Sequence, residues 1–200
     1  MTQKSLGRPR GFDEAKALEH AMHVFWTKGY DGTSMKDLTS AMGINSPSLY
    51  AAFGDKQALY RKTIDAYVNN GACAPLVAFE GEPDIRAAVR LFLIAAAEFA
   101  TQNPSGARGC YLSSCVVTNA TEVDGVAERL QRTVRDTDAR LAERFDAEIA
   151  QGALPADFPS RERASLMFDL RQGIVFRART GVNRDTILIG VDHKVASILA

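Results

Sequence analysis

The chain has 200 residues, 46% of them apolar, and its 24 basic side chains balance 24 acidic ones. That apolar share excludes a disordered chain, and the length allows one medium domain or two small ones. No apolar run approaches the ~18 residues of a membrane span, and the opening MTQKSLGRPRGFDEAK lacks the apolar segment of a secretory signal, so no membrane partner is expected. Three cysteines, Cys73, Cys110 and Cys115, are an odd number that fits free thiols in a reducing cytoplasm rather than a disulfide framework. The neutral total is uneven. Residues 1–62 hold nine Lys/Arg against six Asp/Glu, a net +3, which leaves −3 for the remainder. A basic first third points to a polyanionic partner for that part.

The periodicity is helical throughout, so an all-α chain of about nine helices is expected. Asp13 reads as the N-cap of a first helix, on which Leu18, Ala21, Met22, Phe25 and Trp26 recur at three- and four-residue steps up to Gly29. Ser34 and Asp37 form a capping box for a second helix with the stripe Met35, Leu38, Ala41 and Met42, stopped by Gly43. After Ile44 and Asn45, Pro47 opens a short third helix, Ser48 to about Phe53. Gly54 and Asp55 end it and cap a fourth helix that runs to about Asn70. Prolines punctuate the rest. Long patterns run through Ile85, Val89, Phe92, Ala96 and Phe99, through Val126 to Ile149, and over about 160–180 and 184–199, with a shorter one after Gly109. The expected domains are 1–54 and 55–200.

A helix, a glycine turn and a short helix make a helix-turn-helix. Its second helix must press its N-terminal end against base edges, and the small residues Ser46, Pro47 and Ser48 permit that approach. Hydroxyls and helix N-terminal N–H groups there can bind phosphate. Leu49 and Phe53, four apart, face inward, which turns Tyr50 outward towards a phosphate or a thymine methyl. Upstream, Arg8 and Arg10 in GRPRGF form a pliant arm able to enter a minor groove. The alternative is a tail whose basic residues are incidental.

The stretch TSMKDLTSAMGINSPSLYAAFGDKQALY, preceded by ALEHAMHVFWTKGYDGTS, resembles the TetR family of bacterial transcriptional regulators over residues 15–60. The family pattern carries an apolar helix ending in Gly-Tyr/Phe, a Thr-Thr/Ser start, Ala-x-x-x-Gly-Val/Ile, Leu-Tyr-x-x-Phe and Lys-x-x-Leu. The resemblance implies DNA-facing roles for Lys36, Ser46, Pro47, Ser48, Tyr50 and Lys56, and phosphate contacts for Thr33 and Ser34. One departure is Ala52, where the family often carries His; a different operator or a larger share for the arm follows from it. Further on, RQGIVFRARTGVNRDTILIGV looks like the penultimate and last helices of some members.

In the body, the resemblance implies an effector cavity among helices, with Phe92, Phe99, Cys110, Tyr111, Ser114, Met167, Phe168, Arg171 and Gln172 as candidate lining residues. Leu166, Leu170, Ile174 and Ala178 form one apolar stripe, and Ile187, Val191, Val195 and Ile198 another. Packing on the same chain is one use for them. The resemblance implies instead a symmetric four-helix interface between two copies, which suits a two-fold operator.

His20 and His23 lie beside the apolar face of the first helix and read as structural, since a metal site takes three or four ligands. Cys110 and Cys115, five apart, stand about 140° apart on a straight helix and read as small packing residues. A thiol or soft-metal sensor is the alternative, with Arg108 near Cys110. No G-x-S-x-G, H-E-x-x-H, phosphate loop or G-x-G-x-x-G occurs, so neither an enzyme nor a cofactor is expected. The reading is a homodimeric repressor that holds double-stranded operator DNA and leaves it when a small-molecule effector binds. Its rival from another class is a helical ligand carrier or enzyme with a vestigial helix-turn-helix.

Overall fold

The computed structural model describes residues 12–70, 74–102 and 109–200, and every regular element among them is helical. Arg8, Arg10, Cys73 and Arg108 lie outside the described residues. Nine of the helices are eight residues or longer. The chain divides into two compact units, residues 1–63 and 64–200.

The first unit is built from α1 (Glu14–Lys28), α2 (Met35–Met42), α3 (Ser46–Phe53) and the start of α4 (Lys56–Asn70). Asp13 caps α1, its Oδ1 accepting from the N–H groups of Ala15 and Lys16 at 3.0 and 3.2 Å. Ser34 and Asp37 close the capping box on α2, and the Lys28 ammonium reaches Asp37 at 2.6 Å. Gly43 ends α2 in the left-handed region at φ 66°, where a side chain is strained. That turn points α3 away from α2. Asn45 caps α3, accepting from the Ser48 N–H at 2.9 Å, so the helix starts two residues before Ser48 and Pro47 takes its second position. Ala21, Phe25, Leu38, Leu49, Phe53, Leu59 and Tyr60 close the core. Tyr60 packs edge-on against Phe25 with ring centroids 4.8 Å apart. Tyr30 lies at the same distance from Tyr60 and stacks on Phe25 at 6.1 Å, so the three rings form one cluster. These contacts explain why the unit boundary falls at Thr63 rather than at 54/55. The first turns of α4 are core of the first unit.

The second unit holds the rest of α4, α5 (Ala74–Gly81), α6 (Ile85–Thr101) and the short α7 (Tyr111–Ser114) with a 3-10 turn at Val116–Asn119. It continues through α8 (Val126–Ala150), α9 (Ser160–Arg179), α10 (Arg184–Leu188) and α11 (Val191–Ile198). The expected single helix over 184–199 is two helices, because the chain breaks at Ile189 and Gly190. An aromatic row, Phe92–Phe79–Phe145–Phe158, crosses the core with centroid spacings of 6.2, 5.7 and 5.2 Å. Arg144 on α8 straps the end of α5. Its guanidinium donates to the carbonyls of Phe79 at 3.0 Å and Glu82 at 2.8 Å and pairs with the buried Glu148 at 2.7 Å. A cation at a helix C-terminus meets the orphan carbonyls there. Among the described residues, no helix is long and apolar enough to cross a membrane.

Candidate nucleic-acid interface and ligand cavity

On the first unit, α3 buries Leu49 and Phe53 at 0% and 1% exposure, which contributes about 2 kcal/mol each. With that face buried, Ser46, Pro47 and Ala51 are exposed and Tyr50 stands 52% exposed. Lys36 is exposed on α2, and its ammonium joins no ion pair among the described residues. Ser34 is exposed, with its hydroxyl 2.7 Å from Asp37 and its N–H donating to the same carboxylate at 3.0 Å. Lys56 is half-buried, its ammonium 4.3 Å from the centre of the Tyr30 ring. Together, Lys36, Ser34 and the start of α3 offer hydroxyls, a cation and helix N–H groups on one unit.

Thr33 departs from expectation. It is 2% exposed, and its hydroxyl donates to the Gly29 carbonyl at 2.6 Å, tying the end of α1 to the start of α2. The side chain is therefore a strut and not a phosphate contact. Lys62 was not expected here: its ammonium lies 3.3 Å from the Ala52 carbonyl and 5.7 Å from the Phe53 ring, at the C-terminal end of α3. A basic residue six after the Lys of an Asp-Lys helix start carries no sequence signal for that position. His20 and His23 are exposed, not packed beside the core. Among the described residues, no three His, Cys, Asp or Glu side chains converge to hold a metal.

The second unit holds a partly open cavity of about 370 Å³. Val68 of α4, Pro75 and Leu76 of α5 and Phe92 of α6 form one side. Leu112, Ser113, Val117 and Cys110 form another, and Leu130, Thr133, Val134 and Thr137 of α8 face Phe168, Arg171 and Gln172 of α9. The hydroxyls of Thr133 and Thr137 donate to the carbonyls of Arg129 and Thr133, one turn back on their own helix, so the α8 wall is mostly apolar. The polar end is built around Ser113, whose hydroxyl donates to Gln172 Oε1 at 2.7 Å. Beside it, the Tyr67 hydroxyl donates to Cys110 Sγ at 3.4 Å and accepts from the Tyr111 N–H at 3.2 Å. Burial pushes the Tyr67 hydroxyl far above its ordinary range, so it stays a donor. Burial also pushes the Cys110 thiol up, but Arg171, the Tyr67 hydroxyl and Ser113 together outweigh it and bring the thiol below its ordinary value.

Of the expected lining residues, Phe92, Cys110, Phe168, Arg171 and Gln172 reach the cavity. Phe99, Tyr111, Ser114 and Met167 do not line it. Phe99 and Tyr111 pack against Tyr67 with centroids 6.2 and 5.5 Å away. The Ser114 hydroxyl accepts from the Cys110 N–H at 3.4 Å. It also crowds Gly109, where an added Cβ would come within 2.7 Å of it at φ +90°. Met167, one residue before Phe168, is turned about 100° away and is fully buried. The lining from α4, α5 and α8 was not foreseen. Cys110 and Cys115 are both buried thiols.

The expected interface stripes are largely packed within the chain itself. Ile174, Ala178, Ile187, Val191, Val195 and Ile198 are buried within the single chain at 0–8% exposure, and Leu170 is half-buried. The apolar residues that α9 and the α10–α11 break turn outward are Phe176 and Ile189, 70% and 73% exposed. An i, i+4 apolar stripe marks the face that meets a partner helix, and here α9 meets α6 and α8 of the same chain, while α10 and α11 meet α6.

Residues 17–63 match the family model for bacterial regulatory proteins of the tetR family. The HTH-type transcriptional repressor ComR of Escherichia coli K12 is 29% identical over 187 residues, 93% of this chain and 89% of ComR. The repressor BdcR of the same strain is 29% identical over 84% of this chain and 83% of its own. Among solved structures, the TetR family regulator CifR, a cysteine mutant complexed with 26-base-pair operator DNA, superposes with a TM-score of 0.85 at 33% identity. That match covers 95% of this chain and 99% of CifR. With a match of that identity over nearly its full length and a helix-turn-helix built as above, the chain belongs to the tetR family of bacterial regulatory proteins.

Proposed function

We propose that the protein is a cytoplasmic homodimeric repressor that grips operator DNA with α2 and α3 and releases it when a small molecule fills the cavity of its second unit. The observation that carries this reading is α3 itself: a helix anchored by the fully buried Leu49 and Phe53, with small residues at its exposed N-terminal end and Tyr50 beside them. That is the geometry a recognition helix needs to approach a major groove. Lys36 adds a cation whose contact with phosphate is independent of sequence. The relatives named as repressors, and CifR with its operator, support the same role. Phe176 and Ile189 are the most exposed of the large apolar residues, and they lie on the C-terminal helices whose counterparts the resemblance pairs between copies, so the dimer seam is assigned to include them. The effector acts by shifting populations, binding more tightly to dimers whose recognition helices no longer match half-sites roughly 34–36 Å apart.

Fluorescence anisotropy with a labelled fragment of the DNA upstream of the protein's own gene tests the assignment. Tyr50→Ala and Lys36→Ala each weaken specific binding by about tenfold, with unchanged circular dichroism, and Lys36→Ala lowers the salt slope by about one. Full affinity in both folded variants would remove α2 and α3 from the interface.

A further inference from the structure

Among the described residues, Arg171 is the one charged side chain lining the cavity, and no carboxylate shares the lining with it. None of the ion pairs among the described residues includes it. The neighbouring polar groups are neutral and already engaged: Ser113 donates to Gln172 Oε1, and the two α8 threonines bond their own helix. Arg171 is half-buried, so water can meet its guanidinium in the empty cavity, and a guest that displaces this water costs free energy unless it brings an anion. The guanidinium fork suits a carboxylate in particular, because two parallel N–H donors meet its two oxygens. With Oε1 of Gln172 held by Ser113, the amide nitrogen of Gln172 is left as a further donor beside it. The cavity volume of about 370 Å³ stands at the small end of ligand sites, which limits the body of the guest.

We infer that the cavity takes a small monocarboxylate with an apolar body, the carboxylate seated on Arg171 and Gln172 and the body against Val68, Leu76, Phe92 and Val134. The inference deepens the effector reading above and rests on it only for the step that releases DNA. Cys110 is the rival anion at Arg171, since its thiol is held below its ordinary value. A thiolate, however, is a single soft acceptor that meets the guanidinium at one point, and this one is 1% exposed and already accepts the Tyr67 hydroxyl. It leaves the paired N–H donors to a ligand.

The test is isothermal titration calorimetry of the full-length protein without DNA, using octanoate and phenylbutyrate beside octanol and methyl octanoate. The acids bind at least about tenfold more tightly than the neutral probes, as a charge-assisted pair supplies. Arg171→Gln abolishes that preference and Arg171→Lys restores part of it, both with wild-type circular dichroism. Equal affinity for acids and neutral probes, or an undiminished preference in Arg171→Gln, overturns the inference. Operator release is read separately by anisotropy with the same probes. Acids that bind without releasing DNA support the inference and count against effector-controlled release, which keeps the two failures distinct. Release of DNA by N-ethylmaleimide from the wild type but not from Cys110→Ser, with the carboxylates silent in calorimetry, overturns it in favour of a reactive thiol.

Discussion

Thr33 and Ser34 adjoin in sequence, yet one hydroxyl is buried against the Gly29 carbonyl and the other caps α2 at the surface. Their losses therefore differ. Thr33→Val deletes a buried donor and lowers stability by about 1–2 kcal/mol while leaving DNA affinity unchanged. Ser34→Ala costs about 1 kcal/mol through the cap and also removes a hydroxyl from the exposed face, so it weakens binding as well. Urea unfolding and anisotropy on both variants separate the two cases; a Thr33→Val protein of normal stability that binds DNA poorly would restore Thr33 as a contact. Asp37 adds a pH dependence. Hydrogen bonds from Lys28, then Ser34, hold its carboxyl well below the usual range. A depressed carboxyl contributes stability above its unfolded value and loses it as pH falls through the lower folded one. Acid unfolding of Asp37→Asn is accordingly less steep than that of wild type. The capping box was legible because local spacing alone defines it. The fate of Thr33 was not, since only the packing of α1 on α2 decides which hydroxyl faces inward.

At the scale of elements, Arg144 shows how one side chain fixes the position of a cavity wall. It ties α8 to the carbonyls that end α5, and α5 carries Pro75 and Leu76 into the lining. Arg144→Ala leaves Glu148 as a buried carboxylate without its cation and costs about 3 kcal/mol, read as a lower urea midpoint at unchanged slope. A loss under about 1 kcal/mol would mean that α5 is held by its apolar contacts alone. The same scale explains what the sequence left hidden. Helices announce themselves by period, so their existence and most of their ends were readable. Which residues of a helix face a void and which face a neighbour differs by one position, or about 100° of phase. Phe168, Arg171 and Gln172 were found, while Met167 falls in the core. The α8 lining was missed because Leu130 and Val134 belong to a stripe that reads as ordinary core. The break at Gly190 was missed because one periodic stripe, Ile187 to Ile198, runs unbroken across it.

For the molecule as a whole, the interface follows from where apolar residues remain uncovered. Phe176→Asp and Ile189→Asp alter exposed positions, so each changes the stability of the protomer by less than about 0.5 kcal/mol but shifts sedimentation towards monomer. Val191→Asp, at 8% exposure, buries a charge and unfolds or aggregates the chain instead. A Phe176→Asp, Ile189→Asp double variant that remains dimeric in sedimentation would place the seam elsewhere. The central claim is a two-fold DNA-binding regulator, and a salt titration of operator affinity combined with sedimentation of the complex addresses it most directly. The account predicts at least two chains per duplex, protection of two half-sites spaced by about one helical turn, and an affinity that falls steeply and linearly with the logarithm of salt. Binding of a single chain, or an affinity indifferent to salt and to the sequence of the fragment, would contradict it.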